Sequence, residues 1–261
     1  MRLYEIERNL KIVPGYPFLY LDSEKALIFA DLHLGYETAM AEEGVYLPRA
    51  QINNIIDDLR SVMSSLKVEK IFIVGDLKHR FDRLSRQERE ETEILISFLR
   101  SQGVDRIVLV KGNHDNYIST VLKRLDVEVT DKLILDNILL IHGHLDPFEE
   151  ELDLDRIRIV IYGHEHPSIV LRDRLGKIAK LPVFLETPIK IRSNLILKGL
   201  ILPASGYYQM GSPVTLDSDK YLSPITRKYA EITDIKPYAV IKNEMILEMP
   251  TLSMLLEFIE V

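Results

Sequence analysis

The stretch Ala26–His33, ALIFADLH, decides the fold: an apolar run of strand length ends abruptly in Asp31 and His33. The same pattern recurs as IFIVGD at 71–76, IVLVKGNHD at 107–115, ILLIHGH at 138–144 and IVIYGHEHP at 159–167. Runs this short, dominated by Ile, Val and Leu, fit strands buried on both faces of a sheet. The polar residues that follow mark the carboxyl rim, where an open α/β sheet leaves a crevice for ligands. Glycines at the rim let the backbone turn sharply and approach closely.

Helical periods lie between the runs. Pro48–Lys67 sets Ile52, Ile55, Ile56, Leu59 and Met63 on one stripe, and Gln87–Ser101 does the same with Ile94, Leu95, Phe98 and Leu99. Strand–helix alternation predicts right-handed crossovers and a largely parallel sheet. Past Pro167 the pattern changes. Phe184–Glu186, Leu195–Leu202, Tyr229–Thr233 and Tyr238–Leu247 read as strands, and Thr251–Ile259 as a closing amphipathic helix. The expectation is a single α/β domain over 1–261. Its ligand-bearing blocks occupy 31–167, and 168–261 supplies a second, more antiparallel sheet and the closing helix.

Composition narrows the function. The 261 residues contain no cysteine, which excludes disulfides, thiolate zinc sites and cysteine nucleophiles. The N-terminal MRLYEIERNLKIV is charged throughout, and no stretch approaches the ~18 apolar residues of a bilayer span, so a cytoplasmic, non-membrane protein is expected. A net charge of −7 argues against coating duplex DNA by electrostatics alone.

The seven histidines, His33, His79, His114, His142, His144, His164 and His166, all lie at or just beyond a strand end. Imidazole with carboxylate and Asn suits first-row divalent ions such as Mn, Fe, Co, Ni or Zn rather than an all-oxygen Mg or Ca site. The candidate ligands outnumber the roughly four that one tetrahedral ion takes. Two ions sharing a carboxylate would use the set, and such pairs, ~3.5–4 Å apart, clamp the attacking and leaving oxygens of a displacement at phosphorus.

The ordered blocks D-x-H, G-D, G-N-H-D, H-G-H and G-H-x-H resemble the calcineurin-like metallophosphoesterase superfamily over about Asp31 to Pro167. The spellings ADLHLGYE, GDLKH, GNHD, HGH and GHEHP are most similar to its small archaeal and bacterial branch, related to the phosphoesterase subunit of double-strand-break repair nucleases. The resemblance implies a four-layer α/β/β/α sandwich of two mixed sheets and two divalent ions per chain, Mn first among them. It implies Asp31, His33 and His166 on one ion, Asn113, His142 and His164 on the other, and Asp76 bridging. Hydrolysis would then proceed by in-line attack of a bridging hydroxide. His114 would act as general acid, with Asp115 orienting its imidazole.

Other residues admit two readings. His79 either contacts the substrate phosphate or orients a neighbour. Arg80, with Lys78, Arg83, Arg86 and Arg89, either tracks a polyanion or forms a solvated approach to a helix. His144 is expected to support a ligand, and Glu165 to make a structural hydrogen bond. The aromatics of Gly206-Tyr207-Tyr208 stack on a base or pack in a turn, and the acidic stretch Glu149–Asp155 opposes duplex binding. A phosphodiester substrate, a nucleotide or nucleic acid, is favoured over a phosphomonoester or phosphoprotein. A metal-holding scaffold without activity is the rival reading. A helicase or nuclease partner and a homodimer are further expectations.

Overall fold

The computed structural model describes residues 1–149, 153–173, 176–192, 195–209 and 211–257. Two mixed sheets pack face to face. The first runs in the order β1 (Tyr4–Glu7), β2 (Leu10–Ile12), β3 (Leu19–Leu21), β4 (Ala26–Phe29), β5 (Lys70–Val74), β6 (Arg106–Val110) and β7 (Glu128–Thr130). Its first three pairings are antiparallel and its last three parallel. The N-terminal meander is too short and too charged to have signalled itself in the sequence.

The second sheet contains β8 (Lys132–Leu135), β9 (Ile138–Ile141), β10 (Ile159–Tyr162), β11 (Pro167–Asp173), β12 (Gly176–Arg192), β13 (Leu195–Ile201) and β14 (Ser212–Pro213). The hairpin β15 (Lys236–Ile241) and β16 (Met245–Glu248) joins it alongside β12. This corrects the expected division of the chain. The last two histidine-bearing strands, β9 and β10, belong to the second sheet and not to one continuous parallel sheet with β4, β5 and β6. They pair in parallel with each other, and β10 also pairs in parallel with β13.

Alternation along each strand explains why every run is apolar throughout. Leu27, Phe29, Ile71, Ile73, Ile107 and Leu109 face one core, shared with the helices α2 (Gln51–Met63) and α3 (Arg86–Ser101). Their neighbours Ile28, Phe72, Val74, Val108 and Val110 face a second core, between the sheets, against Leu140, Ile161, Phe184 and Leu200. On the far side of the second sheet, Leu139, Val160 and Tyr162 pack under Ile225 and Leu252. Three cores separate four layers, helix, sheet, sheet, helix. Burying both faces of a strand requires apolar residues at every position, so period 2 disappears from the sequence.

α2 begins and ends inside its predicted span, whereas α3 starts one residue before its own, at Arg86, and ends with it at Ser101. α2 presents Ile52, Ile55, Ile56 and Leu59 inward. In α3, Leu95 and Leu99 point inward as expected, but Ile94 is exposed and Ile96 takes its place. Ser85 and Glu88 cap α3 reciprocally in a capping box. The smaller helices are α1 (Tyr36–Glu42), α4 (Ser119–Arg124), α5 (Pro224–Tyr229) and α6 (Leu252–Glu257).

Two strand expectations need correction. Tyr229–Thr233 is no strand: Tyr229 ends α5, Ala230 makes a single bridge to Ile189, and Ile232–Asp234 forms a 3-10 turn. Tyr238–Leu247 is two strands that turn back at Asn243, which takes a left-handed φ of 61°. The closing helix is present through Glu257, and residues 258–259 of its predicted span lie outside the described residues. Residues 150–152 of the acidic stretch lie outside them too. No helix among the described residues is long and apolar enough to cross a membrane.

Candidate metal centre

Parallel in-register pairing brings the strand ends to one level: Phe29 opposes Ile73, and Val74 opposes Val110. The loops beyond continue the pairing, as His33 N donates to Asp76 O at 2.9 Å and Leu34 N to Leu77 O at 2.9 Å. The second sheet delivers its own rim from the opposite side, where Gly163 N donates to His142 O at 3.0 Å.

Ligand atoms of Asp31, His33, Asp76 and His166 lie within 4.8 Å of one another, and so do those of Asp76, His142 and His164. Asp76 belongs to both groups. Its Oδ2 lies 3.3 Å from His142 Nε2 and 3.8 Å from His33 Nε2. His166 Nε2 lies 3.3 Å from Asp31 Oδ1, and Asn113 Oδ1 lies 3.2 Å from His142 Nε2. The residues expected as ligands therefore converge from both sheets.

The backbone there is unusual for side-chain-bearing residues. Asp31, His33, Asp76, His164 and His166 all have left-handed φ, between 44° and 69°. Each such position costs on the order of 1 kcal/mol or more and persists where the surroundings enforce it. Two glycines make room for the side chains. A Cβ on Gly75 would sit 2.0 Å from His142 Nδ1, and one on Gly112 would sit 2.2 Å from Asp76 Oδ1.

These side chains fit divalent cations. Asp31 Oδ1 is buried and accepts no well-directed hydrogen bond among the described residues. His142 Nδ1 lies 3.1 Å from the Val74 carbonyl, an acceptor only, so Nδ1 carries the proton. In the neutral ring Nε2 then aims a lone pair at oxygens of Asp76 and Asn113, a repulsive arrangement unless positive charge lies between. Burial opposes a charge on His142, but the Asp76 and Asp31 carboxylates outweigh it and raise its pKa to about 9. Burial and the neighbouring histidines act in concert elsewhere. His33 is held well below its usual range, and His164 and His79 fall to about 4, leaving neutral imidazoles ready to ligate.

His114 faces the same cluster. Its Nδ1 donates to the His79 carbonyl, and its Nε2 lies 4.0 Å from Asp76 Oδ2. Asp115 does not orient it. The Asp115 carboxylate is buried and accepts hydrogen bonds from Gly112 N at 2.8 Å and Leu77 N at 2.9 Å, tying two rim loops together. His79 Nδ1 lies 3.3 Å from His33 Nδ1, so His79 joins the cluster through a neighbour. Arg80 is ion-paired with Glu42 of α1.

Most of the basic run is likewise paired within the protein. Arg83 binds Glu42, Arg86 binds Glu90, and buried Lys78 donates to the carbonyls of Arg80 and Arg83. His144 stacks at a tilt 5.3 Å from His142. Glu165 accepts from Leu222 N and Ser223 N, both at 2.8 Å, and so anchors the start of α5.

Gln51 escaped the sequence reading. Wholly buried, its amide donates to His33 O at 2.8 Å and accepts from Tyr207 N at 3.0 Å, clamping two rim loops. Glu91, also buried, accepts from Gly35 N at 2.8 Å. A signal existed for both: each is a polar residue in line with an apolar helical stripe, Gln51 four before Ile55 and Glu91 four before Leu95.

The fold is similar to that of the nuclease MPE from Pseudomonas putida, at 20% identity over 95% of this chain and 99% of that one, with a TM-score of 0.61. The phosphoesterase Yfce from E. coli shows a weaker likeness, with 15% identity, 87% and 98% coverage and a TM-score of 0.44. No curated protein matches the chain. The sequence profile of calcineurin-like phosphoesterases matches residues 25–168, from the start of the first histidine-bearing run to just past the last candidate ligand. That match covers more than half of the sequence, and the chain belongs to the calcineurin-like phosphoesterase family.

Proposed function

We propose that the protein hydrolyses phosphodiester bonds with two divalent ions, Mn foremost and Fe, Co, Ni or Zn also compatible with its donors. The observation that carries this reading is the position of Asp76 Oδ2 between His142 of one ligand group and His33 of the other. When bound, two such ions supply Lewis-acid charge and lower the pKa of coordinated solvent. Asp31, His33 and His166 would hold one, Asn113, His142 and His164 the other, and Asp76 both.

The protein's own part in the chemistry centres on His114. With Nδ1–H fixed on the His79 carbonyl, only Nε2 is free to take and give a proton, and it faces the cluster. A proton delivered from Nε2 to the leaving alkoxide is worth roughly 10²–10⁴ in rate. Asp76 Oδ1 accepts from His114 N at 3.0 Å, which fixes the distance between the proton donor and the shared carboxylate.

A diester is supported by the surface around the cluster. A cavity of about 210 Å³ opens beside His166, and a groove of about 500 Å³ beside Asn113, His142 and His144. Two recesses flanking one centre suit a phosphorus carrying two substituents, where a monoester has one.

The test is turnover by the Mn-loaded protein of an aryl diester, an aryl monoester, 2′,3′-cyclic nucleotides, single-stranded DNA and duplex ends, with metal content measured in parallel. The expected outcome is two ions per chain and faster hydrolysis of diesters. Exclusive monoester turnover would overturn the substrate class, and one ion or none at saturation would overturn the two-ion centre.

A further inference from the structure

Lys78 is a buried charge that the hydrolytic chemistry leaves unused. Its side chain has no exposed surface, and it forms no ion pair among the described residues. Taking an ammonium out of water without a paired carboxylate is costly, so the hydrogen bonds that hold it must be good ones. They come from a single loop. Lys78 Nζ donates to the carbonyl of Arg80 and, at 3.0 Å, to that of Arg83.

A second buried charge grips the same loop from the other side. Glu88, in the first turn of α3, accepts from Arg80 N and from Ser85 N, each at 2.5 Å. Residues 79–85 form neither helix nor strand, and Phe81 at their tip is exposed. A surface segment of this kind has little apolar packing to hold it still. Two interior charges of opposite sign bind four of its backbone groups instead.

The loop carries one group on which the chemistry depends. The His79 carbonyl, between Lys78 and Arg80, is the acceptor for His114 Nδ1–H. Asp115 is occupied with backbone N–H groups and cannot take over that task. If the loop relaxed outward, the imidazole would be free to rotate and to carry its proton on either nitrogen. Nε2 would then no longer face the leaving oxygen in one fixed state.

We propose that Lys78, with Glu88, is a positioning residue for the general acid: it draws the 79–85 loop inward and so sets the His79 carbonyl on which His114 Nδ1–H rests. The proposal rests on the acid role of His114 in the hydrolytic reading above.

The experiment measures single-turnover rates of the Mn-loaded full chain on the p-nitrophenyl and methyl esters of thymidine 5′-phosphate. The two diesters differ only in how much the leaving group needs a proton. Lys78→Met should slow the methyl ester at least about tenfold more than the p-nitrophenyl ester, with metal content unchanged, and Lys78→Arg should recover part of that loss. In a His114→Ala background the same Lys78→Met change should cost less than about twofold, since the group it positions is gone. Equal slowing of both esters, or an undiminished effect in the His114→Ala background, would overturn the proposal. Should Lys78→Met fail to fold, Glu88→Gln carries the same test. It keeps the shape and turns one acceptor into a donor facing Arg80 N or Ser85 N, so the same leaving-group split is expected.

A second readout needs no turnover. Nitrogen NMR of the EDTA-treated protein, at a pH where imidazole is neutral, should show His114 protonated on Nδ1 in the native chain and on both nitrogens in exchange in Lys78→Met. Hydrolysis of both esters with the tautomer unmoved by Lys78→Met removes the positioning role and spares the phosphodiesterase. A tautomer shift with neither ester hydrolysed by the native protein does the reverse.

Discussion

His142 Nε2 lies 3.3 Å from Asp76 Oδ2, although His142 follows β9 of one sheet and Asp76 follows β5 of the other. The candidate centre is thus a product of sheet-on-sheet packing. Its two halves meet only when the core between the sheets closes, with Val74 and Val110 against Leu140 and Ile161.

Removing the shared carboxylate should therefore cost both ions. Asp76→Ala is expected to lower metal content from two ions toward none and to cut activity by more than the roughly 10–100-fold typical of groups that only support a ligand. Metal analysis after dialysis, alongside single-turnover hydrolysis, checks this. A variant that keeps one tightly held ion and substantial activity would contradict the bridging role.

His114→Ala removes no proposed ligand and keeps the backbone N–H that donates to Asp76 Oδ1, so metal content should stay intact. Turnover should fall by roughly 10²–10⁴, most for substrates with poorly acidic leaving alcohols. The measurement is a leaving-group series of aryl and alkyl diesters. The same loss for good and poor leaving groups would remove His114 from the acid role.

Gly112→Ala tests the close approach at the rim. The new methyl would meet Asp76 Oδ1 at 2.2 Å and Asp76 N at 2.5 Å, and backbone cannot move aside as a flexible side chain would. Overpacking of this kind costs about 1–3 kcal/mol. Urea unfolding should show that loss, and metal titration should show weakened binding, since the displaced atom belongs to the shared carboxylate.

Chelation should destabilise the whole domain. Asp31 Oδ1 accepts no well-directed hydrogen bond among the described residues, and five candidate ligands take left-handed conformations. A bound ion at 100 times its dissociation constant contributes about 2.7 kcal/mol. For a domain of this size that corresponds to a rise in Tm of roughly 5–10 °C. Thermal unfolding in EDTA and in Mn measures it, and identical Tm values would argue against metal binding by the folded state.

The placement of the candidate ligands at strand ends was legible in the sequence because each block is local. An apolar run long enough for one strand, followed at once by Asp, Asn or His, fixes both the element and the rim on which the polar group stands, and neither needs a distant partner. The helical stripe of α2 was readable for the same reason, as were Leu95 and Leu99 in α3, though not Ile96. Tertiary structure alone decided which rims face each other. Runs buried on both faces look the same in either sheet, so nothing local distinguishes β9 and β10 from β4 and β5. It also decided which group orients His114, since the His79 carbonyl reaches it and the adjacent Asp115 is drawn to backbone N–H groups across the loop. Likewise Arg80 turns to Glu42, and Gln51 clamps the loops bearing His33 and Tyr207. Those choices depend on hydrogen bonds and ion pairs between segments far apart in the chain, and such contacts leave no periodic trace for a linear reading to find.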